Sequence, residues 1–205
     1  MIEDTITATD HVDVLIVGAG VSGIGAAYHL QDKLPQKTYA VLDAREDLGG
    51  TWDLFRYPGI RSDSDLHTFG YAFKPWTNEK AIADGPSIKA YIRETAEENG
   101  IDAHIRYQHR VESAEFSTER GLWTIKGERL GDDDAGPFEM TAQWLYCGSG
   151  YYRYDQGYMP HFDGLGDFEG TIVHPQHWPE DLDYAGKRVV VIGSGATAVT
   201  LIPAL

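Results

Sequence analysis

The 205-residue sequence contains one cysteine, Cys147, and only 17 lysines and arginines against 32 aspartates and glutamates. A single cysteine excludes an internal disulfide and any Cys-x-x-Cys redox or zinc motif. The formal net charge of −15 argues against a nucleic-acid or anionic-membrane partner, because no basic surface is available to neutralise phosphates. No apolar run approaches ~20 residues, so no transmembrane segment is predicted. The acidic segment 1–11 lacks the basic start of a signal peptide, which predicts a cytoplasmic location.

The beginning of the sequence has the pattern of an α/β protein. Residues 12–17 form an apolar, β-branched run that predicts a buried strand, and a glycine turn at 18–23 follows it. The next apolar residues fall on one helical stripe that ends before Pro35, and residues 39–43 predict a second strand. Strand, glycine turn, helix and strand are the opening of a Rossmann-like, doubly wound sheet.

The rest of the chain predicts a meander and the start of a second unit. Ser87 can cap a helix that runs to about Asn99, and the alternating apolar residues of 103–147 predict a small β-meander. Residues 187–192 predict a third buried strand, followed by a second glycine turn and a helix over 195–205. The chain ends 7 residues after that turn, whereas a crossover to the next parallel strand needs at least ~10–12. We therefore expect an N-terminal piece of a longer protein.

The motif Gly18-x-Gly20-x-x-Gly23 predicts a dinucleotide site because its context is complete. A strand precedes it, a helix follows it, and Asp43 lies 20 residues after Gly23. Gly18 would allow the tight turn, Gly20 the approach of a pyrophosphate, and Gly23 the packing of helix on strand. The helix N-terminus would offer N–H donors to phosphate, and Asp43 would accept hydrogen bonds from a ribose. The alternative is a glycine turn without a ligand.

A second fingerprint, Gly193-x-Gly195-x-x-Ala198, follows the strand predicted at 187–192. Taken alone, it is either a dinucleotide site or a simple strand–helix turn. Two fingerprints 175 residues apart are typical of a protein that binds a flavin and a nicotinamide dinucleotide.

Between the two fingerprints lies Phe168-x-Gly170-x-x-x-His174-x-x-x-Trp178-Pro179, which the residues alone leave ambiguous. His174 and His177 could ligate a metal, but Pro175 opposes a helix that presents both, and no third ligand is evident, so no metal is predicted. A packed histidine beside a tryptophan is the alternative. Cys147 is expected to be buried and inert, and Tyr151 and its neighbouring tyrosines to serve packing and interdomain contacts.

These blocks together resemble the class B flavoprotein monooxygenases. The segment ending in Trp178-Pro179 resembles the signature of the Baeyer–Villiger type, and the match extends from about Val12 to Leu205. Residues 53–65 and 174–184 are similar to the ethionamide-activating subgroup. Further matching blocks are Gly49-Gly-Thr-Trp52, Arg56-Tyr-Pro-Gly-Ile-Arg-Ser-Asp63 and Cys147-Gly-Ser-Gly150.

The resemblance implies a role for each matching residue. FAD would be bound by Gly18, Gly20, Ser22, Gly23 and Asp43, where most family members have Glu, and by Thr51, Trp52, Asp53, Leu54 and Val111. The nicotinamide dinucleotide would be bound by Arg61, Ser62, Asp63, Gly193, Ser194, Gly195, Ala196, Thr197 and Ala198. Phe168, Gly170, His174, Trp178 and Pro179 would form the signature, and Asp63 would be catalytic, orienting an arginine beyond the chain.

The activity that the resemblance implies is that of an oxidoreductase that uses FAD, NADPH and O₂. Such enzymes form a C4a-peroxyflavin and insert one oxygen atom into ketones or oxidise sulfur and nitrogen compounds. The expected fold is a three-layer FAD domain with a β-meander at 1–150, a linker with the signature at 151–186, and the truncated start of a Rossmann NADP domain at 187–205. A flavin disulfide reductase is excluded because it needs two redox cysteines. The rival is an FAD-binding fragment or module without catalysis.

Overall fold

The computed structural model describes residues 10–132 and 134–205, which form two compact units. The first unit contains the chain up to Gly50 and Tyr91–Gly150, and the second contains Thr51–Ala90 and Tyr151–Leu205. Residues 1–9 of the acidic N-terminal segment and Asp133 lie outside the described residues. Helix α4 (Gly85–Glu98) runs through the boundary between the units at Ala90.

A six-stranded sheet of order β3-β2-β1-β6-β5-β4 organises the first unit. Its first four strands run parallel, and β6, β5 and β4 form an antiparallel meander. The α/β Rossmann-like fold with a β-meander is therefore confirmed. The elements are β1 (Asp10–Val17), α1 (Val21–Lys33), β2 (Tyr39–Leu42), β3 (Ile105–Arg106), β4 (His109–Ser117), β5 (Leu122–Arg129) and β6 (Gly136–Cys147).

The core of this unit lies where β1 and β2 meet the meander. All four residues of β2 are buried, as expected for a central strand of a parallel sheet. Leu15 of β1 and Leu42 of β2 pack in one cluster with Ile125 of β5 and Met140 of β6. Outside this core, Asp13 of β1 accepts hydrogen bonds from Lys37 and Thr38, which directly precede β2, and so joins the two strands.

Three sequence predictions are wrong in detail. The segment at Ile105 pairs in parallel with β2 and is not part of the meander. Helix α4 begins at Gly85, and its first turn is held by Asp84, whose Oδ1 accepts the N–H of Ser87 at 2.8 Å. Ser87 is therefore the third residue of the helix, and the residue that caps it is Asp84, three positions earlier. Cys147 is exposed, since it is the last residue of β6.

The second unit consists of short helices joined by long loops. Its elements are α2 (Thr51–Leu54), α3 (Leu66–Phe69), the first part of α4, and α5 (Ala196–Leu201), with 3₁₀ turns at Leu165–Asp167, Pro175–His177 and Ile202–Ala204. The helix predicted over 195–205 is thus α5 and the 3₁₀ turn that follows it.

The strand predicted at 187–192 is not formed. None of the described residues pairs with this segment, and Val190 and Ile192 are 84% and 72% exposed. An apolar sequence becomes a strand only when neighbouring strands satisfy its backbone groups. Among the described residues, no helix is long and apolar enough to cross a membrane.

Candidate functional site

The first glycine loop connects β1 to α1 and is held tightly on two sides. Gly18 has a φ of +103°, and a Cβ built on it would overlap the carbonyl oxygen of Gly148. A Cβ on Gly23 would overlap the carbonyl oxygen of Gly18. Both positions therefore require glycine, one for its backbone conformation and contact and the other for its contact alone.

Gly20 differs from these two glycines because the space beside it is open. The nearest atom to a Cβ built there is the Cα of Gly50, at 3.6 Å, which is an ordinary contact. Gly20 is also the N-cap of α1, no side chain of the described residues caps this helix, and Ser22 is exposed in its first turn. A 13-residue helix that starts uncapped presents N–H donors and the positive end of its dipole, which suits an anion such as a pyrophosphate.

Asp43 is the residue after β2, and its carboxylate is hydrogen-bonded to the backbone of the glycine loop. It is 7% exposed; its Oδ2 accepts the N–H of Ala19 at 2.7 Å, and its Oδ1 accepts the N–H of Arg45 at 2.9 Å. The carboxylate thus joins the end of β2 to the middle of the fingerprint. The predicted contact with a ribose would have to use the remaining lone pairs of the same two oxygens.

Further residues of the first unit surround the end of β2. Arg93 donates to both carboxylate oxygens of Asp47, at 2.6 and 2.5 Å. Burial raises the pKa of the neighbouring Tyr107 to about 12, and the charge of Asp47 acts in the same direction, so this phenol stays neutral. Val111 pairs with Gly127 beside an irregularity in β4, and its side chain packs on the core. Its backbone position is therefore fixed by the meander.

In the second unit, α2 places two of its four predicted flavin contacts inside the protein. Asp53 is 2% exposed and forms ion pairs with Lys89 at 2.6 Å and with Arg56 at 3.3 Å, while Leu54 is buried in an apolar cluster. Their side chains keep almost no accessible surface, so a contact with a flavin would use mainly their backbone. Thr51 and Trp52 are half-buried and keep side-chain surface.

The three residues of the Arg61-Ser62-Asp63 segment also differ in burial. Ser62 is buried; its N–H donates to the carbonyl of Ala83 at 2.9 Å, and its Oγ accepts the N–H of Ala83 at 3.2 Å. Ser62 therefore fastens the segment to the chain before α4 and has little surface for a ligand. Arg61 and Asp63 are exposed on either side of it.

Tyr152 is one of the tyrosines that the sequence predicted to serve packing and interdomain contacts. Its ring meets that of Phe55 edge to face and lies tilted by 37° against that of Tyr151, which is itself 87% exposed rather than packed. Burial raises the pKa of Tyr152 to about 12, and its hydrogen bond with Tyr151 and the nearby charge of Asp63 act in the same direction. Tyr152 therefore remains a neutral hydrogen-bond donor on the side of this unit that carries Asp63.

The signature segment connects separate parts of the second unit by hydrogen bonds and apolar contacts. His174 caps the 3₁₀ turn that follows it, because its Nδ1 accepts the N–H of Gln176 at 3.2 Å. The buried Gln176 donates from Nε2 to the carbonyl oxygens of Arg153 and Tyr154, at 2.6 and 3.2 Å. Trp178 packs against the cluster that contains Leu54. Sequence reasoning missed Gln176, although its position between His174 and Trp178 was a signal.

The remaining signature residues are at the surface. Phe168 is exposed, and a Cβ on Gly170 would be only 2.5 Å from its ring, so this glycine accommodates the phenyl group. Pro179 is exposed and its carbonyl accepts the N–H of Leu182. Among residues 10–132 and 134–205, no group of three or more histidine, cysteine or acidic side chains could hold a metal ion.

The second glycine loop is open. Gly193 has a φ of +132° and Gly195 is the N-cap of α5, but no described atom lies within 4 Å of a Cβ built on either. Ser194 and Ala196 are exposed, Thr197 is half-buried and Ala198 is buried. The fingerprint thus keeps its turn and its helix, without the close packing seen around Gly18 and Gly23.

Comparison with known proteins decides the family. The sequence model described as flavin-binding monooxygenase-like matches residues 78–204, and that of the NAD(P)-binding Rossmann-like domain matches residues 16–81. The chain belongs to the flavin-binding monooxygenase-like family. The resemblance that the motifs indicated is therefore confirmed at the level of the family.

Individual monooxygenases of known name are similar along nearly the whole chain. The FAD-containing monooxygenase EthA of Mycolicibacterium smegmatis is 62% identical over 197 residues, which cover 96% of this chain and 39% of that protein. EthA of Mycobacterium tuberculosis is 59% identical, with coverages of 96% and 40%. The chain thus spans about two fifths of the length of these relatives. Their names agree with the prediction of FAD as a cofactor.

Two solved monooxygenase structures show the same fold. An oxidized steroid monooxygenase bound to NADP superposes with a TM-score of 0.79 at 34% identity, over 94% of this chain and 36% of that one. An open crystal structure of cyclohexanone monooxygenase gives a TM-score of 0.82 at 29% identity, over 96% and 37%. The NADP held by the first agrees with the predicted nicotinamide cofactor of this family member.

Proposed function

We propose that this chain binds FAD through the β1–α1 loop and forms the N-terminal part of an NADPH-dependent monooxygenase. The observation that carries the proposal is the first fingerprint in its complete setting, with Gly20 open, α1 uncapped and Asp43 fixed behind the loop. Family membership supports the reaction class. A small-molecule ketone, sulfide or thioamide and O₂ are the proposed substrates, and the cytoplasm is the proposed location.

The residues around the first loop fit an anionic cofactor. The N–H groups of the first turn of α1 would bind the FAD pyrophosphate, and the missing side chain at Gly20 would let the phosphates approach the backbone. Asp43 would hold the loop in this form and accept a ribose hydroxyl. Among the predicted contacts from α2, the side chains of Thr51 and Trp52 would reach the flavin.

The second unit would contribute the nicotinamide side of the reaction. Arg61 and Asp63 are exposed and would face NADPH, and residues 193–198 would bind its pyrophosphate. Asp63 would act as the catalytic carboxylate that orients a cationic partner. FAD, when bound, would supply the redox and oxygen chemistry, so the protein's part is to bind, orient and exclude water.

A flavin-binding assay tests the first half of the proposal. We expect the chain to take up FAD, and Gly20→Val to weaken FAD binding by at least about tenfold, because two methyl groups would occupy the space left for the phosphates. Gly166→Val is the matched control, since no described atom lies within 4 Å of a Cβ there. Near-stoichiometric FAD in Gly20→Val would contradict the assignment.

Oxygenation is tested in a chimera, because the relatives are longer than this chain. These residues would replace the matching 39% of M. smegmatis EthA. We expect Asp63→Ala to leave FAD bound and to lower ketone oxidation about 10²-fold, since a preorganised charged contact is lost. Glu169→Ala, at another exposed carboxylate, should have no effect. Equal oxygenation by Asp63→Ala would contradict the role of Asp63.

A flavin-binding module without catalysis is the second candidate, and the open second loop favours it. For the 205-residue chain itself we expect FAD binding without sustained NADPH oxidation under air. Consumption of NADPH by the chain at a steady rate would instead assign both cofactor sites to these residues.

A further inference from the structure

We propose that Tyr57 is a positioning residue for α5, acting through Thr200, and that it thereby sets the affinity for the nicotinamide dinucleotide. The second half of this proposal rests on the proposed NADPH site at residues 193–198. Tyr57 opens a turn in which the N–H of Ile60 donates to the Tyr57 carbonyl at 3.2 Å, and in the sequence this segment was only part of a matching block. Nothing in the spacing of the motifs indicated a partner for its hydroxyl group.

A buried hydrogen bond joins Tyr57 to the helix. Its hydroxyl lies 3.0 Å from Oγ1 of Thr200, and each residue is 4% exposed. Thr200 Oγ1 also lies 3.0 Å from the carbonyl oxygen of Ala196 and 3.1 Å from that of Thr197. Thr200 has a single hydroxyl proton, which it donates to these carbonyls, so Tyr57 donates to Thr200. The chain of hydrogen bonds therefore ends in the first turn of α5.

The backbone of the same turn contacts the other end of the helix. Gly59 has a φ of +80°, and a Cβ built on it would overlap the carbonyl oxygen of Thr200 and lie 2.7 Å from Cβ of Ala204. This contact leaves no room for a side chain. The turn thus holds α5 through its backbone at Gly59 and through a directional side-chain bond at Tyr57.

The signature segment completes this support from a second direction. Trp178 and Tyr154 pack on the cluster formed by Leu54, Phe55, Tyr57 and Leu201. Gln176 binds the carbonyl oxygens of Arg153 and Tyr154 and so fixes this part of the chain. Leu201 is the last residue of α5, so the helix rests on a surface built by two of the sequence blocks.

The apolar packing of Tyr57 on Leu201 does not by itself fix the rotation of α5 about its axis, because apolar contacts are not directional. The hydrogen bond from the Tyr57 hydroxyl to Thr200 does fix it. A phenylalanine would fill the same apolar space, but only the hydroxyl can hydrogen-bond to Thr200, which in turn donates to the carbonyls of Ala196 and Thr197. These two residues belong to the second fingerprint. A small rotation of α5 would therefore move the N–H groups proposed to bind the pyrophosphate.

The test uses the whole chain, with NADP⁺ as the probe in calorimetry and amide exchange as a second readout. We expect Tyr57→Phe and Thr200→Val each to weaken NADP⁺ binding and to speed amide exchange in α5 by about two- to tenfold, the range of one hydrogen bond. Thr200→Ser, which keeps the hydroxyl that Thr200→Val removes, should have the NADP⁺ affinity and the exchange rate of the unsubstituted chain. Combining Tyr57→Phe with Thr200→Val should cause no larger loss than either change alone. FAD content should not change. Tyr158→Phe, which removes the hydroxyl of a side chain that is 85% exposed, is the control.

A glycine pair tests the backbone contact. Gly59→Ala should weaken NADP⁺ binding more than Tyr57→Phe does, because its Cβ would displace α5. Gly186→Ala carries similar backbone strain, at a φ of +69°, but has no described atom within 4 Å of its Cβ, so NADP⁺ binding should be unchanged.

The outcomes separate this proposal from the proposed function. Unchanged NADP⁺ affinity in Tyr57→Phe and Thr200→Val would overturn the positioning role. If the unsubstituted chain does not bind NADP⁺, the nicotinamide site proposed for residues 193–198 is wrong. Amide exchange then tests separately whether Tyr57 positions α5. Faster exchange confined to α5, with rescue by Thr200→Ser, would then support its role, and uniform exchange would overturn it.

Discussion

The two glycine loops of this chain have the same spacing and opposite surroundings. At the first, β1 is hydrogen-bonded to β2 on one side and to β6 on the other, and Gly18 and Gly23 touch backbone carbonyls. At the second, residues 187–192 form no strand, and Gly193 and Gly195 have no described atom within 4 Å of an added Cβ. The same motif is therefore a packed junction in one unit and an open turn in the other.

The difference shows how much of a dinucleotide fingerprint depends on neighbouring strands. The turn and the start of the helix form in both places, because glycine backbones and local hydrogen bonds suffice for them. The close approach of helix to strand occurs only where the strand is fixed in a sheet. What supports α5 instead is the turn of Tyr57 and Gly59.

The largest contrast is expected for a lysine placed in each apolar segment. Ile16→Lys should unfold the first unit, at a cost of about 4 kcal/mol or more, because Ile16 is 1% exposed and a charge there has no partner. Ile192→Lys should leave the free energy of unfolding unchanged and reduce self-association of the chain, since this apolar residue is exposed. Urea denaturation and light scattering measure the two effects. Equal destabilisation by both would show that residues 187–192 are packed in solution.

A smaller contrast is expected for alanine at the last glycine of each loop, Gly23 in the first and Gly195 in the second. Gly23→Ala should lower the free energy of unfolding by more than about 3 kcal/mol and abolish FAD binding, because the methyl group would overlap the carbonyl of Gly18. Gly195→Ala should cost less than about 1 kcal/mol, the usual effect at an N-cap with open space. Similar losses in both variants would mean that the second loop is packed as tightly as the first.

Alanine at the first glycine of each loop separates strain from crowding. Both glycines have positive φ, so both variants should lose about 1 kcal/mol through backbone strain. Gly18→Ala should lose about 1–2 kcal/mol more, because its Cβ also overlaps the carbonyl of Gly148, whereas Gly193→Ala should not. Denaturation midpoints of the two variants give the difference, and its absence would refute the crowding at Gly18.

The smallest expected effect concerns Asp13, which joins β1 to β2 and has no counterpart at the second loop. Hydrogen bonds from Lys37 and Thr38 lower the pKa of Asp13 from 3.8 to about 2. Its stabilising contribution is therefore complete above about pH 4 and lost as the pH falls through 2. We expect Asp13→Asn to be less stable than the unsubstituted chain at pH 7, and the difference to shrink as the pH falls and to vanish only below about pH 2. Glu169→Gln is the control, and a constant difference across this range would contradict the assignment.

Several site residues show why sequence reasoning stopped short of the geometry. The strand, turn and helix around Gly18 follow from local periodicity and spacing, and the structure confirms them. The burial of Asp53 depends on Lys89, 36 residues away, and that of Tyr57 on Thr200, 143 residues away. Such partners lie in loops or on a different helix, where no period of the sequence relates the two positions.

The sequence by itself determined the β1–α1–β2 unit with its glycine loop and the meander, because hydrophobic period and glycine spacing act over a few residues. The family was indicated by the resemblance of whole motif blocks and not by these periods. Only the tertiary structure decided which predicted contacts keep a free side chain, which carboxylate caps α4, and that residues 187–192 form no strand. Those properties depend on partners distant in the chain, since burial and backbone pairing are set by whatever packs against a segment.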